Sequence, residues 1–181
     1  MKFSTNFIFT WLLVGGGCFA ADLKKDLTTP FQLALVAPLQ IFDEKDSVAG
    51  VRFNFIYGRN EDVRGLDVGL VNHASGDVGG LQYGGVNIVG GELRGLQSGI
   101  FNTVGRNAYG WQSATIGNLV SGDVTGLQTS WILNKTNGSM KGVQIGLINI
   151  TEQLHGVQIG LLNFNRGSDY FSFFPILNMS F

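Results

Sequence analysis

Two stretches of this chain are nearly identical: Gly-Val-Gln-Ile-Gly-Leu-Ile-Asn at 142–149 and Gly-Val-Gln-Ile-Gly-Leu-Leu-Asn at 156–163. Related segments precede them, and successive segments start 14 to 16 residues apart. The seven segments begin at Gly65, Gly80, Gly95, Gly110, Gly126, Gly142 and Gly156. Self-similarity at a short, nearly constant period is the signature of a repeat-built protein. The repeats, which occupy about 65–170, therefore decide the fold.

Each repeat has the alternating pattern of a β-strand. Counted by twos, one face of 154–162 carries Leu-Gly-Gln-Gly-Leu, and the other face is mostly apolar. The first face is nearly a palindrome about its glutamine, so glutamines would meet glutamines even between antiparallel strands. We therefore predict antiparallel strands of about nine residues. Turn-forming sequences such as 72–77 and 134–139, in which Asn acts as a turn former, would join them.

Three further alternating stretches, at 31–41, 51–58 and 171–181, bring the number of candidate strands to ten. An even number of strands is typical of bacterial outer-membrane barrels. The predicted fold is thus all-β, an antiparallel β-barrel of about ten short strands whose Gly/Gln face points inward and whose apolar face meets lipid. The alternative is a β-solenoid with coils of about 15 residues, which the near-constant repeat length favours.

One row of side chains counts against the barrel. Ser98, Ser113 and Thr129 fall near mid-strand on the face that would meet lipid. Such a face is usually more uniformly apolar.

Two family resemblances concern the C-terminal end of the chain and the repeats. The last residues, Phe-Ser-Phe-Phe-Pro-Ile-Leu-Asn-Met-Ser-Phe (171–181), resemble the terminal signal of outer-membrane barrel proteins, although Pro175 departs from it by removing a ladder donor. The resemblance implies an assembly signal made of Phe173, Leu177, Met179 and Phe181. Separately, the repeats are similar to those of a bacterial surface-repeat family rich in Gly-Val-Gln-Ile-Gly-Leu-Ile-Asn. That similarity implies an envelope or surface location and carries no activity.

The N-terminal segment has the features of a secretory signal. An apolar core at 7–14 is followed by Cys18-Phe19-Ala20, which places small residues at the −3 and −1 positions. We predict a signal peptide at 1–20, cleavage after Ala20, and a single repeat-built β domain at 21–181. The predicted mature chain has no cysteine, so no disulfide would stabilise it.

A lipoprotein signal with an acylated Cys18 is the less favoured alternative, because Gly15 stands where such signals usually carry Leu. Either way the chain is expected to be exported to the outer membrane or cell surface. The alternative locations are the periplasm and the medium.

Charge and motifs exclude several classes of function. The chain has 12 basic and 13 acidic residues and no basic stripe, so nucleic-acid binding is not expected. It has no nucleophile elbow, Walker loop or Cys/His nucleophile pair, so we predict neither an enzyme nor a cofactor. His73 and His155 lack acidic partners at ligand spacing, and no metal site is predicted.

The most regular polar feature is one amide or carboxylate side chain per repeat. Stacked amides hydrogen-bond one another, so we predict a structural row rather than a ligand site. The row consists of Asp67, Gln82, Gln97, Gln112, Gln128, Gln144 and Gln158. The predicted function is a structural barrel of the outer membrane or cell surface, at most a narrow pore, with the bilayer and the outer-membrane assembly machinery as partners. The alternative is a secreted or surface β-solenoid acting as an interaction module.

Overall fold

The computed structural model describes residues 28–37, 39–168 and 171–181, so the predicted signal peptide at 1–20 lies outside the described residues. About 79% of the structure is β-strand, and the described residues contain no helix. Within these described ranges, eleven strands form one sheet. They are β1 (Thr28–Val36), β2 (Leu39–Gln40), β3 (Ser47–Asn60), β4 (Val63–Ala74), β5 (Val78–Val89), β6 (Leu93–Val104), β7 (Ala108–Val120), β8 (Val124–Ser130), β9 (Leu133–Ile145), β10 (Ile148–Asn165) and β11 (Phe173–Ser180).

Successive repeats lie parallel and in register. Gly80 pairs with Gly95, Gln82 with Gln97, and the same pairing continues from β3 to β10. Among the strands of the described residues, only β2 and β11 pair antiparallel, with β1 and β10 respectively. The chain is therefore a parallel β-solenoid of about nine turns. The predicted antiparallel β-barrel is wrong, and the alternative, a solenoid with coils of about 15 residues, describes the fold.

The barrel prediction failed because the chain bends within each repeat. In one repeat the buried residues are Val78, Gln82, Asn87 and Val89, at uneven spacings that a straight strand could not give. The first glycine of each repeat has a φ between 124° and 145°, a backbone conformation essentially restricted to glycine. Because the chain turns at that glycine, the palindromic face never forms as one flat surface.

The turns also differ from the prediction. Asn72 and Asn134, read as turn formers, lie within strands and are fully buried. The true turns are shorter, as at 75–77, and stack on one another through backbone hydrogen bonds such as Gly91 N–H to the Gly76 carbonyl (2.7 Å).

Side chains fill the interior of the coil. Two columns are amides, and two are mainly apolar and form the hydrophobic core. The core residues are Val48, Val63, Ala74, Val78, Val89, Leu93, Val104, Ala108, Val120, Val124, Met140 and Leu154. Since each coil contacts mainly its two neighbours, stability is expected to be a sum of repeat-to-repeat interfaces.

The glycine bend can be tested by substituting Gly95 with Ala. Its φ is +136°, and an added Cβ would overlap the carbonyl oxygen of Gly80. The backbone conformation alone should cost about 1–3 kcal/mol, and the overlap adds to it. Gly79→Ala is the matched control, because its Cβ would meet only Arg64 Cγ at 3.8 Å. Urea unfolding of the mature chain should show a large loss for the first variant and almost none for the second. Equal effects would contradict a sharp bend at Gly95.

Candidate functional site

The predicted glutamine row lies inside the solenoid and forms a continuous ladder of hydrogen bonds. Each glutamine Nε2 donates to the Oε1 of the glutamine one repeat earlier, at 2.7–2.8 Å. All six glutamine residues are at most 2% exposed. A buried amide must be hydrogen-bonded to avoid a desolvation penalty, and the neighbouring repeat supplies each partner.

The direction of this ladder is set at its N-terminal end. Asp67 is the first member of the row, and Arg52 holds it with two bonds, Nε–Oδ1 at 2.8 Å and Nη2–Oδ2 at 2.7 Å. Both side chains are fully buried. A carboxylate paired in this way accepts hydrogen bonds and cannot donate, so Gln82 must turn its Nε2 toward Asp67 (2.8 Å). Its Oε1 then faces the next repeat, and every later glutamine follows. Asn178 of β11 ends the row by donating to Gln158 Oε1 at 2.9 Å.

A second ladder of asparagines runs in the opposite direction. Each Nδ2 donates to the Oδ1 of the asparagine one repeat later, at 2.7–2.9 Å. In most repeats the same nitrogen also donates to a backbone carbonyl of the next repeat. The ladder consists of Asn54, Asn72, Asn87, Asn102, Asn118, Asn134, Asn149 and Asn163. Because the two ladders point in opposite directions, their side-chain dipoles oppose each other.

Arg52 and Asn54 were missed as members of these ladders. The sequence nevertheless indicates that Arg52 belongs to the glutamine row, because it lies 15 residues, or one repeat, before Asp67. Two opposite charges therefore occupy successive glutamine positions, where a parallel stack brings them into contact.

The two histidines lie far apart in the structure. His73 Nδ1 contacts the Tyr57 hydroxyl at 2.8 Å, and burial, followed by the charges of Arg59 and Arg52, lowers the pKa of His73 below 6.5. His155 lies near the Ser139 hydroxyl, at 3.4 Å. Within the described part of the chain, no group of three or more metal-ligating side chains comes together.

On the outer surface of the solenoid, the charged side chains of 61–168 are concentrated along one edge. We define the charged edge as the stacked segments at 61–62, 75–77, 90–92, 105–107, 121–123, 137–139, 152–153 and 166–167, together with the adjacent outward column of Arg64, Arg94 and Lys141. The segments at 137–139 and 152–153 lie within β9 and β10, and the others are turns between strands. Of the charged residues in 61–168, only the interior Asp67 and the half-buried Lys135 lie elsewhere. The others are Glu61, Asp62, Arg64, Asp77, Glu92, Arg94, Arg106, Asp123, Lys141, Glu152 and Arg166.

Another corner of the coil is apolar and exposed. We call it the apolar ridge, and it consists of Leu70, Ile100, Trp131, Leu147 and Leu161. Trp131 is the most exposed of these, at 82%. With strands about 4.8 Å apart, the ridge extends about 30 Å along the solenoid.

The ridge is interrupted where two repeats carry one extra residue. β8 ends at Ser130, and β9 pairs with β7 directly after the insertion. The irregularity leaves a recess of about 240 Å³, which we call the bulge notch. It is lined by Ser98, Gly99, Ser113, Ala114, Thr115, Thr129, Ser130, Trp131 and Ile145. The hydroxyl row that counted against the lipid-facing barrel surface thus lies in this notch.

The residues of the predicted assembly signal lie at the C-terminal end of the solenoid. Phe173, Leu177 and Met179 are on β11, which pairs antiparallel with the last coil, and Phe181 follows it. β11 also supplies Asn178, so it closes the glutamine ladder. In the solenoid these residues lie on or directly after the strand that covers the last coil, and their role as an assembly signal stays a prediction. The described residues include no helix with the length and hydropathy of a membrane span.

Comparison with known proteins gave no match: no protein-family model, curated protein or solved structure is significantly similar to the chain.

The continuity of the ladder, in which Gln112 must both donate and accept a hydrogen bond, can be tested with Gln112→Glu. A carboxylate at this position could accept from Gln128 but would face the acceptor Oε1 of Gln97. Its protonated form could donate to that oxygen, so the pKa of the new carboxyl should be raised above its unfolded value of about 4.3. The stability of this variant is then highest at acid pH and falls as pH rises through the raised pKa.

Urea unfolding at about pH 4.5 and pH 7 measures this effect. The loss relative to wild type should be several kcal/mol at pH 7 and much smaller at pH 4.5. Gln112→Leu is the control, because its loss should hardly vary with pH. A Gln112→Glu variant that is as stable as wild type at pH 7 would contradict the ladder described above.

Proposed function

We propose that this protein is an exported, surface-displayed β-solenoid that acts as a non-catalytic recognition module and adheres to uncharged material of the cell exterior. The observation that carries the proposal is the separation of its surface into a charged edge and an uncharged apolar ridge. The predicted signal peptide and the resemblance to surface repeats support export and display.

The distribution of charge favours a partner without charge. Exposed charged side chains keep the edge hydrated, whereas the ridge exposes leucine, isoleucine and tryptophan along about 30 Å. Large apolar side chains exposed along one corner in this way favour an interaction site, because exposed apolar patches often mark one. A strongly charged partner would lose hydration at the ridge and gain no ion pair in return.

The interior supports a binding role by making the surface rigid. Both amide ladders are buried, and each repeat is held in register with the next. Side chains on such a scaffold project at fixed intervals, so the ridge presents a preorganised surface to an extended partner.

Co-sedimentation of the mature chain with isolated bacterial cell envelopes tests the proposal. Leu70→Lys combined with Leu161→Lys places two charges on the ridge, where both leucines are more than half exposed. Burying these charges against an uncharged partner should weaken binding about tenfold or more. Binding of the wild-type chain should be nearly insensitive to salt between about 0.05 and 0.5 M, because no ion pairs contribute to it.

Ser121→Lys combined with Thr125→Lys is the matched control, since it adds the same charge at exposed positions on the charged edge. This variant should bind as the wild type does. If the two double variants bind equally well, or if binding disappears at high salt, the proposed role of the ridge is wrong.

A further inference from the structure

Both tryptophans of the predicted mature chain lie at the bulge notch. The third, Trp11, belongs to the predicted signal peptide. Trp131 forms one wall of the notch and is 82% exposed. Trp111 is nearly half exposed, and its Nε1–H donates to Thr129 Oγ1 in the notch at 3.3 Å. An exposed indole is costly in water and is a frequent anchor in binding sites.

The floor of the notch is made of hydroxyl groups. Ser98, Ser113 and Thr129 occupy one column on successive strands, so their side chains are spaced by the strand separation of about 4.8 Å. Ser130 also lines the notch through other atoms, but its Oγ is buried beside Gly146, where the buried asparagine ladder passes, and faces the interior. The hydroxyls that a ligand can reach are therefore those of Ser98, Ser113 and Thr129, which are half-buried.

These features select the chemistry of the ligand. The lining contains no charged side chain, so it offers nothing to pair with an anion or a cation. A purely apolar ligand would remove water from the Ser98 and Ser113 hydroxyls without replacing its hydrogen bonds. A sugar ring fits both requirements, because its C–H face can lie on an indole while its hydroxyls exchange hydrogen bonds with serine and threonine. The volume of about 240 Å³ is suited to one ring of a longer chain that continues along the strands.

We propose that the bulge notch binds one unit of a neutral polysaccharide, with the sugar ring stacked on Trp131 and hydrogen-bonded to the hydroxyls beneath it. The inference rests on the proposed recognition function and names the class of its ligand. It also accounts for the extra residue in two successive repeats, since that residue opens the notch and places Trp131 on its wall.

The two tryptophans allow a direct test by intrinsic fluorescence, because in the mature chain they report on the notch alone. The probes are three neutral oligosaccharides: cellotetraose, maltotetraose and triacetylchitotriose. At least one should change the emission saturably, with calorimetry giving the same affinity. Trp131→Ala should weaken that binding about tenfold or more, with Trp111 as the remaining reporter. Ser113→Ala should weaken binding with little change in the unfolding temperature, because it removes a half-buried hydroxyl from the floor of the notch.

Phe55→Ala is the matched control, since it removes an exposed aromatic side chain on β3, outside both the ridge and the notch, and should leave sugar binding unchanged. The inference is overturned if none of the three probes changes the emission or produces heat, or if Trp131→Ala binds as tightly as the wild type. Envelope co-sedimentation measured on the same preparations separates the two proposals. Retained envelope binding without sugar binding would reject only the ligand class, whereas loss of both would reject the recognition function.

Discussion

A carboxylate paired with a guanidinium can accept hydrogen bonds but cannot donate them, and Arg52 holds Asp67 in this state inside the solenoid. That constraint orients Gln82 and, through it, every glutamine of the row as far as Gln158. Because each amide then presents an acceptor to the next repeat, only another donor in register satisfies it. One buried ion pair thus gives direction to a ladder that runs almost the whole length of the protein.

The ladder and the glycine bends depend on each other. A bend at each first glycine brings the chain around so that the next glutamine lies above the previous one. Side chains at these glycines would overlap the carbonyl of the preceding repeat, as at Gly95 against Gly80. The close approach of the coils and the continuous amide hydrogen bonds therefore both depend on the spacing of glycine and glutamine within each repeat. A shift of one residue in the register between adjacent coils would disrupt both.

Much of this architecture can be predicted from the sequence, but the relative direction of neighbouring strands cannot. The repeat, its period and the glutamine row follow from the spacing of Gly80, Gln82 and their counterparts. The near-palindrome around the glutamine fits antiparallel and parallel pairing equally well, because glutamine meets glutamine in both. The two kinds of pairing are distinguished by the positive φ at the first glycine of each repeat. Assigning alternate residues to opposite faces of a strand does not detect that bend. The bulge notch could not be predicted from the sequence either, because its prediction depends on the stacking of Ser98, Ser113 and Thr129 beside Trp131.

The central claim is that the glutamine ladder has one direction, imposed from the end at which Asp67 lies. Scalar couplings across hydrogen bonds, measured by NMR on the isotope-labelled mature chain, report which nitrogen donates to which carbonyl. The account predicts a coupling from Gln97 Nε2 to Gln82 Cδ, and likewise from Gln112 to Gln97. Couplings in the opposite sense, from Gln82 Nε2 to Gln97 Cδ, or a mixture of both senses, would show that the Arg52–Asp67 pair does not set the direction.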